Sequence, residues 1–366
     1  MRHTDLIYLI ALRQCYGIGD ITAKKLLTHF KSAEEVFKRN PVEIAGLTGI
    51  GLKNSQNIKL SEWLQKAERE AEFAFQNNID CQRFDDPDYP EKLKHCPDGP
   101  TLLFSKGNIN LKDRKIISIV GTRKVTAAGI DFCRRLIFDL APLDPVIVSG
   151  FAYGVDIVAH QAAIEKGLQT IAVMAHGHNQ IYPKPHQKFV KPILENGGFM
   201  TEFCTWENPL PENFVKRNRI VAGLSEATVV IESAEKGGSL ITANMALDYN
   251  RDVFAVPGKP TDPLSQGCNN LIKTQRAQIL TQAADLVYSL NWDLKKTELQ
   301  VQKQLFVDLS DEEKLIFDHL SQTGNQSLDV IALECGFPVQ KLSGLLLQME
   351  LKGVVRPMPG KMFQAV

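Results

Sequence analysis

The sequence predicts an α/β fold: an extended Rossmann-like parallel sheet, flanked by an N-terminal helical domain and a C-terminal winged-helix domain. Two observations carry this. From about residue 116, short β-branched runs (116–120, 146–148, 170–174, 227–232 and 252–256) alternate with amphipathic stretches. Strands alternating with helices build βαβ units and a parallel sheet covered on both faces. Glycine or proline follows several of the runs, as strand-to-helix turns require.

The segment 1–65 reads as short helices. Tyr16-Gly17-Ile18-Gly19 precedes a helical stretch at 21–30, and Thr48-Gly49-Ile50-Gly51 precedes another at 52–60. Gly-apolar-Gly before a helix is the helix-hairpin-helix pattern, whose free N–H groups can hold a phosphate oxygen without reading sequence. The same pattern also suits a purely structural helical module. A charged helix (63–77) and a proline-rich connector (Asp86-Pro87-Asp88-Tyr89-Pro90, then Pro97 and Pro100) lead through a short strand at 102–104 into the main domain, assigned to 66–290. A polar linker, 291–304, follows. In 305–366, Ser310-Asp311-Glu312-Glu313 is a capping box opening a helix. Further helices at 328–334 and 338–351, and strands at 354–357 and 361–365 around Pro359-Gly360, describe a winged helix.

The length, 366 residues, suits two or three domains. Lys plus Arg and Asp plus Glu are each 42, so the chain carries no net charge. That argues against coating duplex DNA by bulk charge and leaves room for a local basic patch. The seven cysteines (Cys15, Cys81, Cys96, Cys133, Cys204, Cys268 and Cys335) are scattered with no C-x-x-C pair. They read as reduced thiols of a cytoplasmic protein, not as a zinc site. The run 6–12 (LIYLIAL) is short and lies between Asp5 and Arg13, so it reads as a buried helix, not a signal. Nothing approaches the ~20 apolar residues of a membrane span.

Ligands of open parallel sheets bind beyond the carboxyl ends of the strands, and the motifs gather there. In Val120-Gly121-Thr122-Arg123, the glycine admits close backbone approach and the arginine offers a phosphate fork. The G-x-G-x-x-G fingerprint is absent, so no dinucleotide cofactor is expected. In the next turn, Gly150 and Gly154 precede Asp156 and His160, spaced i, i+4 so that they can pair on one helical face. A structural hydrogen bond holding the loop is the expected role, ahead of an acid–base dyad. His176, His178 and His186 lack adjoining carboxylates or thiolates, so Lys184, His186 and Lys188 read as a phosphate-contacting cluster and no metal is expected. The densest motif is Phe214-Val215-Lys216-Arg217-Asn218-Arg219, with three cations in four positions and an aromatic able to stack on a base. Finally, Gly237-Gly238-Ser239-Leu240-Ile241-Thr242 forms a backbone nest for an anion. The Walker pattern is absent, so the usual apparatus of nucleotide hydrolysis is missing.

Taken in order, IVGTR (119–123), VSGFAYGVDIVAH (148–160), IYP (181–183), TEF (201–203), FVKRNRIVAGLS (214–225), GGSLITA (237–243), FAVPG (254–258) and SQGCNNLI (265–272) resemble the DprA/Smf family of DNA-processing proteins. The resemblance covers the whole Rossmann-like domain. It implies a cytoplasmic homodimer that binds single-stranded DNA in a basic pocket, protects incoming DNA during natural transformation and helps load RecA; backbone nests, arginines and an aromatic platform make the expected binding independent of sequence. It brings no catalytic residue, metal or cofactor. Carried onto this chain, the implied DNA contacts are Gly121, Thr122, Arg123, Lys184, Arg217, Asn218, Arg219, Gly238, Ser239, Leu240 and Thr242. The chain departs from the family at 273–277 (Lys-Thr-Gln-Arg-Ala), where a glycine-alanine pair is frequent, and at His176, where glycine is usual.

The runner-up is a nucleotide or sugar-phosphate hydrolase on the same fold. The comparable P-G-G-x-G-T-x-x-E pattern loses its carboxylate here, because Ala243-Asn244-Met245 follows Thr242. A third reading is an adaptor whose terminal domains recruit proteins: helix 338–351 carries Lys341 as its only cation, too few for a major-groove recognition helix.

Overall fold

The β-branched runs become strands in the computed structural model, which describes residues 3–49, 61–292, 309–358 and 362–365. In chain order they are β1 (Asp80–Arg83), β2 (Leu102–Gly107), β3 (Ile116–Val120), β4 (Val146–Ser149), β5 (Thr170–Val173), β6 (Gly197–Thr201), β7 (Ala227–Val230), β8 (Asp252–Ala255) and β9 (Gln278–Ile279). They form one sheet in the order β1-β2-β6-β5-β4-β3-β7-β8-β9. From β6 to β9 every pairing is parallel, while β2 joins β6, and β1 joins β2, antiparallel. The order reverses between β3 and β7, and that switch point opens a crevice beyond the strand ends.

The helices of this unit are α1 (His3–Gln14), α2 (Asp20–Phe30), α3 (Ala33–Lys38), α4 (Pro41–Thr48), α5 (Ser61–Gln76), α6 (Glu91–Lys94), α7 (Ala127–Leu140), α8 (Val155–Glu165), α9 (Val190–Glu195), α10 (Pro211–Leu224), α11 (Gly238–Asp248), α12 (Gln266–Lys273) and α13 (Ala283–Ser289). Successive side chains of a strand face opposite sides, so each central strand feeds two cores. Ile117, Ile119 and Ile147 pack with Leu136, Ile137, Val158 and Ala162 of α7 and α8. Val120, Val146 and Val148 pack with Ile220, Val221 and Leu224 of α10 and Ala243 and Ala246 of α11. Burial on both faces is why these strands read as continuous apolar runs.

The N-terminal helices, expected as a domain of their own over 1–65, belong to the same compact unit as the sheet, which runs to Asp293. Leu9, Leu12, Leu26 and Val36 share one buried cluster with Leu102 and Phe104 of β2. The second Gly-x-Gly turn from Ile50 onward, with its helix at 52–60, lies outside the described residues, as does most of the expected linker. Trp292, placed in that linker, is instead buried in the sheet domain, and its Nε1 donates to Glu226 at 3.3 Å.

The second unit begins at Leu294. Its elements are α14 (Asp311–Thr323), β10 (Gln326–Ser327), α15 (Leu328–Cys335), α16 (Val339–Leu351), β11 (Val355–Met358) and β12 (Met362–Ala365), with strand order β10-β12-β11. The capping box forms as expected: Glu313 N–H donates to Ser310 Oγ, and Ser310 N–H donates to Glu313 Oε2. The Pro359-Gly360 turn lies outside the described residues.

A buried ionic cluster fastens the helical segment to the sheet. Arg219 of α10 donates to Glu202 at 2.5 Å and to Asp20 at 3.0 Å, and also bonds Asp98 O. Arg13 of α1 reaches the same Glu202 carboxylate at 3.2 Å, and Lys216 reaches it at 3.1 Å. Asp20 opens α2 and accepts from the Thr101 N–H and hydroxyl, both at 2.8 Å. Burial alone would raise the Asp20 pKa, but Arg13, Arg219 and the Thr101 N–H overcome it and hold the carboxyl below its ordinary value.

Removing one partner of such a cluster leaves buried charge without compensation. Arg219→Ala is expected to cost about 3–5 kcal/mol, read as a fall in the urea midpoint. Lys216→Ala, whose side chain is 47% exposed, should cost under about 1 kcal/mol. Because the folded Asp20 pKa is depressed, its contribution is complete above the unfolded value of about 3.9 and is lost as pH falls through the folded value. Asp20→Asn should therefore flatten the acid limb of the stability–pH curve.

Candidate functional site

The crevice at the β3/β7 switch point is a cavity of about 460 Å³. Motifs far apart in sequence meet in its wall: Gly121, Thr122 and Arg123 after β3, Gly150 and Asp156 around the β4–α8 turn, Phe214, Arg217 and Asn218 on α10, and Gly238, Ser239 and Thr242 on α11.

Two glycines make the crossing possible. A Cβ on Gly121 would overlap Val155 and lie 3.0 Å from Glu232 O. Gly154 holds φ +79° and passes directly against the Thr122 backbone. Thr122 is stitched on both sides, its N–H donating to Glu232 O at 2.8 Å and its carbonyl accepting from Val155 N–H at 3.2 Å. That N–H is spent on the scaffold, and so is Lys124 N–H, which donates to Thr122 Oγ1 at 3.1 Å. Glu232 in turn accepts from both the N–H and hydroxyl of Thr126, the N-cap of α7.

Arg217 is buried beneath the pocket. Its Nη1 bonds the carbonyls of Gly150 and Val173, at the ends of β4 and β5, and Nε donates to Asn218 Oδ1 at 3.2 Å. Burial draws its pKa down to about 10, against the pull of Asp156, so it stays charged at neutral pH. Most of its fork serves the fold, and it reaches the cavity only as part of the floor. Asp156 and His160 do not pair with each other, contrary to expectation. Asp156 Oδ2 accepts from Ala152 N–H at 3.2 Å and so does hold the loop. His160 Nδ1 lies 2.7 Å from Thr170 Oγ1, whose hydrogen goes to Ile147 O, so Nδ1 donates. Burial drops the His160 pKa to about 3, leaving it neutral.

Exposed Arg123 and Tyr182 gather at the mouth with half-buried Phe214. The Arg123 guanidinium stands 5.4 Å over the Phe214 ring, and Phe214 meets Tyr182 edge-on at 5.6 Å. Gly238 is exposed at the start of α11, with open space where a Cβ would point. The first N–H groups of a helix have no intrahelical acceptor, so this turn faces the cavity as an anion cradle.

Three expected contacts stand elsewhere. Arg219 is buried in the ionic cluster with Asp20 and Glu202 and does not line the cavity. Leu240 packs into the core and its N–H closes back on Gly237 O at 3.1 Å. Lys184 is exposed but outside the cavity wall, opening a 3-10 turn two residues past Tyr182. Ser239 and Thr242 do line the cavity but are buried, and Ser239 Oγ donates to Ser233 Oγ at 2.9 Å. The three histidines diverge: His176 Nδ1 faces Gly177 O, His178 Nε2 faces Phe104 O and His186 Nδ1 faces Phe151 O. Among the described residues no group of three His, Cys, Asp or Glu stands together for a metal, and no single helix is long and apolar enough to cross a membrane. Tyr182 was not singled out from sequence as a site residue; its signal was its place in the IYP motif.

The family model of DNA recombination-mediator protein A matches residues 80–291, and that of the DprA winged helix domain matches 303–361. Protein Smf of Escherichia coli is 34% identical over 276 residues, covering 74% of each chain. DNA processing protein DprA of Streptococcus pneumoniae is 39% identical over 199 residues, 54% of this chain and 70% of that one. The crystal structure of the pneumococcal protein superposes with a TM-score of 0.67 at 31% identity, covering 79% of this chain and 98% of that one. DNA processing protein A of Helicobacter pylori, known for its single-stranded DNA binding mode, superposes with a TM-score of 0.53 at 28% identity, covering 58% of this chain and 95% of that one.

Gly121→Ala is expected to cost about 1–3 kcal/mol through overpacking against Val155, read as a lowered melting temperature.

Proposed function

Because this chain belongs to the DprA/Smf family, we propose that its switch-point pocket binds single-stranded DNA chiefly through phosphates and stacked bases. The observation that carries this is the pairing of phosphate-binding and stacking groups at one mouth: Arg123, Asn218 and the open turn of α11 beside the faces of Phe214 and Tyr182. Cations and backbone N–H groups neutralise the strand, and aromatic rings accept unstacked bases of any identity. A duplex keeps its bases stacked inside and offers this mouth only phosphates. The family further implies a homodimer that passes the strand to RecA during natural transformation.

The test is fluorescence anisotropy with a labelled single strand across a salt series. Arg123→Ala should weaken binding and lower the salt slope by about 0.7, the single-strand value for one lost phosphate contact. Phe214→Ala should cost about 1–3 kcal/mol with the slope unchanged. Equal affinity in wild type and both variants would remove the pocket from the binding path. RecA assembly on the same strand, followed with and without the protein, tests the loading step.

The winged-helix domain is assigned a minor share of duplex binding. The one cation of α16, Lys341, is paired with Glu312, while Leu347 and Leu351 stand exposed on the same helix. Lys341→Ala in the full chain should change duplex affinity less than about twofold; a tenfold loss would restore α16 as a recognition helix.

A further inference from the structure

The rim of the pocket suits phosphate, but its floor does not. Asp156 lines the cavity at 7% exposure, a buried carboxylate on the path a deeply seated phosphate would take. A Cβ on Gly150 would lie 2.6 Å from Asp156 Oδ2 and 2.5 Å from Arg217 Nη2. Carboxylate and guanidinium therefore converge over that glycine, and only glycine leaves the space. Burial is the largest influence on Asp156 and holds its pKa above the ordinary carboxylate value, with Arg217 and the Ala152 N–H opposing the rise without reversing it.

A phosphate brought against a buried carboxylate meets like charge in a weakly screened setting. A neutral planar group with N–H donors meets an acceptor instead. A carboxylate has about four lone-pair sites over two oxygens, so the Ala152 N–H at Oδ2 and the neighbouring Ser149 hydroxyl together leave acceptor capacity. The cavity, about 460 Å³, has room for a nucleobase entering past the contacting rings of Phe214 and Tyr182. The bases differ in what they offer a carboxylate. Guanine presents N1–H and N2–H side by side. Thymine has one N–H flanked by two carbonyls, while adenine and cytosine set an amino group beside an unprotonated ring nitrogen whose lone pair opposes the second oxygen.

We propose that the floor of the pocket is a guanine-selective base subsite, in which Asp156 accepts from N1–H and N2–H of one unstacked guanine of the strand. The inference rests on the single-strand reading of the same pocket. It adds that binding, though driven by phosphates, carries a base preference at one position.

The experiment uses the full chain and four labelled strands: an oligothymidylate, and the same strand with one guanine, hypoxanthine or adenine at its centre. Guanosine monophosphate serves as a competitor. The guanine strand should bind at least about fivefold tighter than the oligothymidylate, the low end of a bidentate base contact. Hypoxanthine, which lacks the N2 amino group, should fall between, and adenine should match thymine. In Asp156→Asn the guanine-to-thymine ratio should fall to about one, whatever the absolute affinity, since the second acceptor oxygen is gone. Equal affinity of the four strands for the wild-type protein overturns the proposal, and does so even if the variant fails to fold. A preserved ratio in Asp156→Asn overturns the assignment to this residue. Displacement by guanosine monophosphate with equal strand affinities would reassign the floor to a free guanine nucleotide and overturn the strand form. Failure of all four strands to bind would instead remove the single-strand reading on which the inference stands.

Discussion

One guanidinium sets the floor of the switch-point pocket. Arg217 bonds the carbonyls that end β4 and β5, so the two strand termini and α10 are held as one piece. Taking a guanidinium out of water costs several kcal/mol, offset only when its donors find acceptors and its charge a counter-charge. Two carbonyls, the Asn218 amide and the nearby Asp156 meet that condition. With the floor fixed, the crossing of Gly121 and Gly154 fixes the wall, and the start of α11 closes the far side. The groups left at the mouth, exposed Arg123 and Tyr182 and half-buried Phe214, are those with no such duty.

A second arginine does comparable service on the other side of the same helix. Arg219 joins Asp20 of α2 and Glu202 after β6, with Arg13 of α1 bonded to the same glutamate. The helical segment is thus attached through charge as well as through the apolar cluster around Leu12 and Leu26. A buried network of this kind contributes less to net stability than its hydrogen bonds suggest, because desolvation offsets them. It does penalise any docking geometry that leaves one member unpaired.

The central strands were legible because they are buried on both faces and therefore read as β-branched runs. β6 was not, because Gly197-Gly198 looks like a turn; the structure requires glycine there, since side chains would collide with the backbones of the flanking strands at Thr170 and Lys106. β1 is a polar edge strand and β9 spans only Gln278–Ile279, so neither carries a pattern. At the site, the glycine turns and Arg123 could be read directly, because their placement follows from strand-end geometry alone. Arg219, Leu240 and Lys184 could not. Where a helical side chain points depends on the phase of the helix against its neighbours, which tertiary packing decides. Composition showed three cations in four positions but could not show that two of them face inward.

Residues 217 and 219 are separated by roughly 200° around α10, from the 3.6-residue turn. The Lys-Arg-Asn-Arg run is therefore two devices interleaved on one cylinder, one bracing the nucleic-acid pocket and the other clasping the helical segment. This sets a grammar of substitution that charge counting misses. A lysine at 216 is a half-exposed point charge and can be exchanged for arginine freely. At 217 a lysine would have to span two carbonyls with a single ammonium, and at 219 it would have to serve two carboxylates and a carbonyl without a planar fork. Conserving the charge of this run would not conserve the protein.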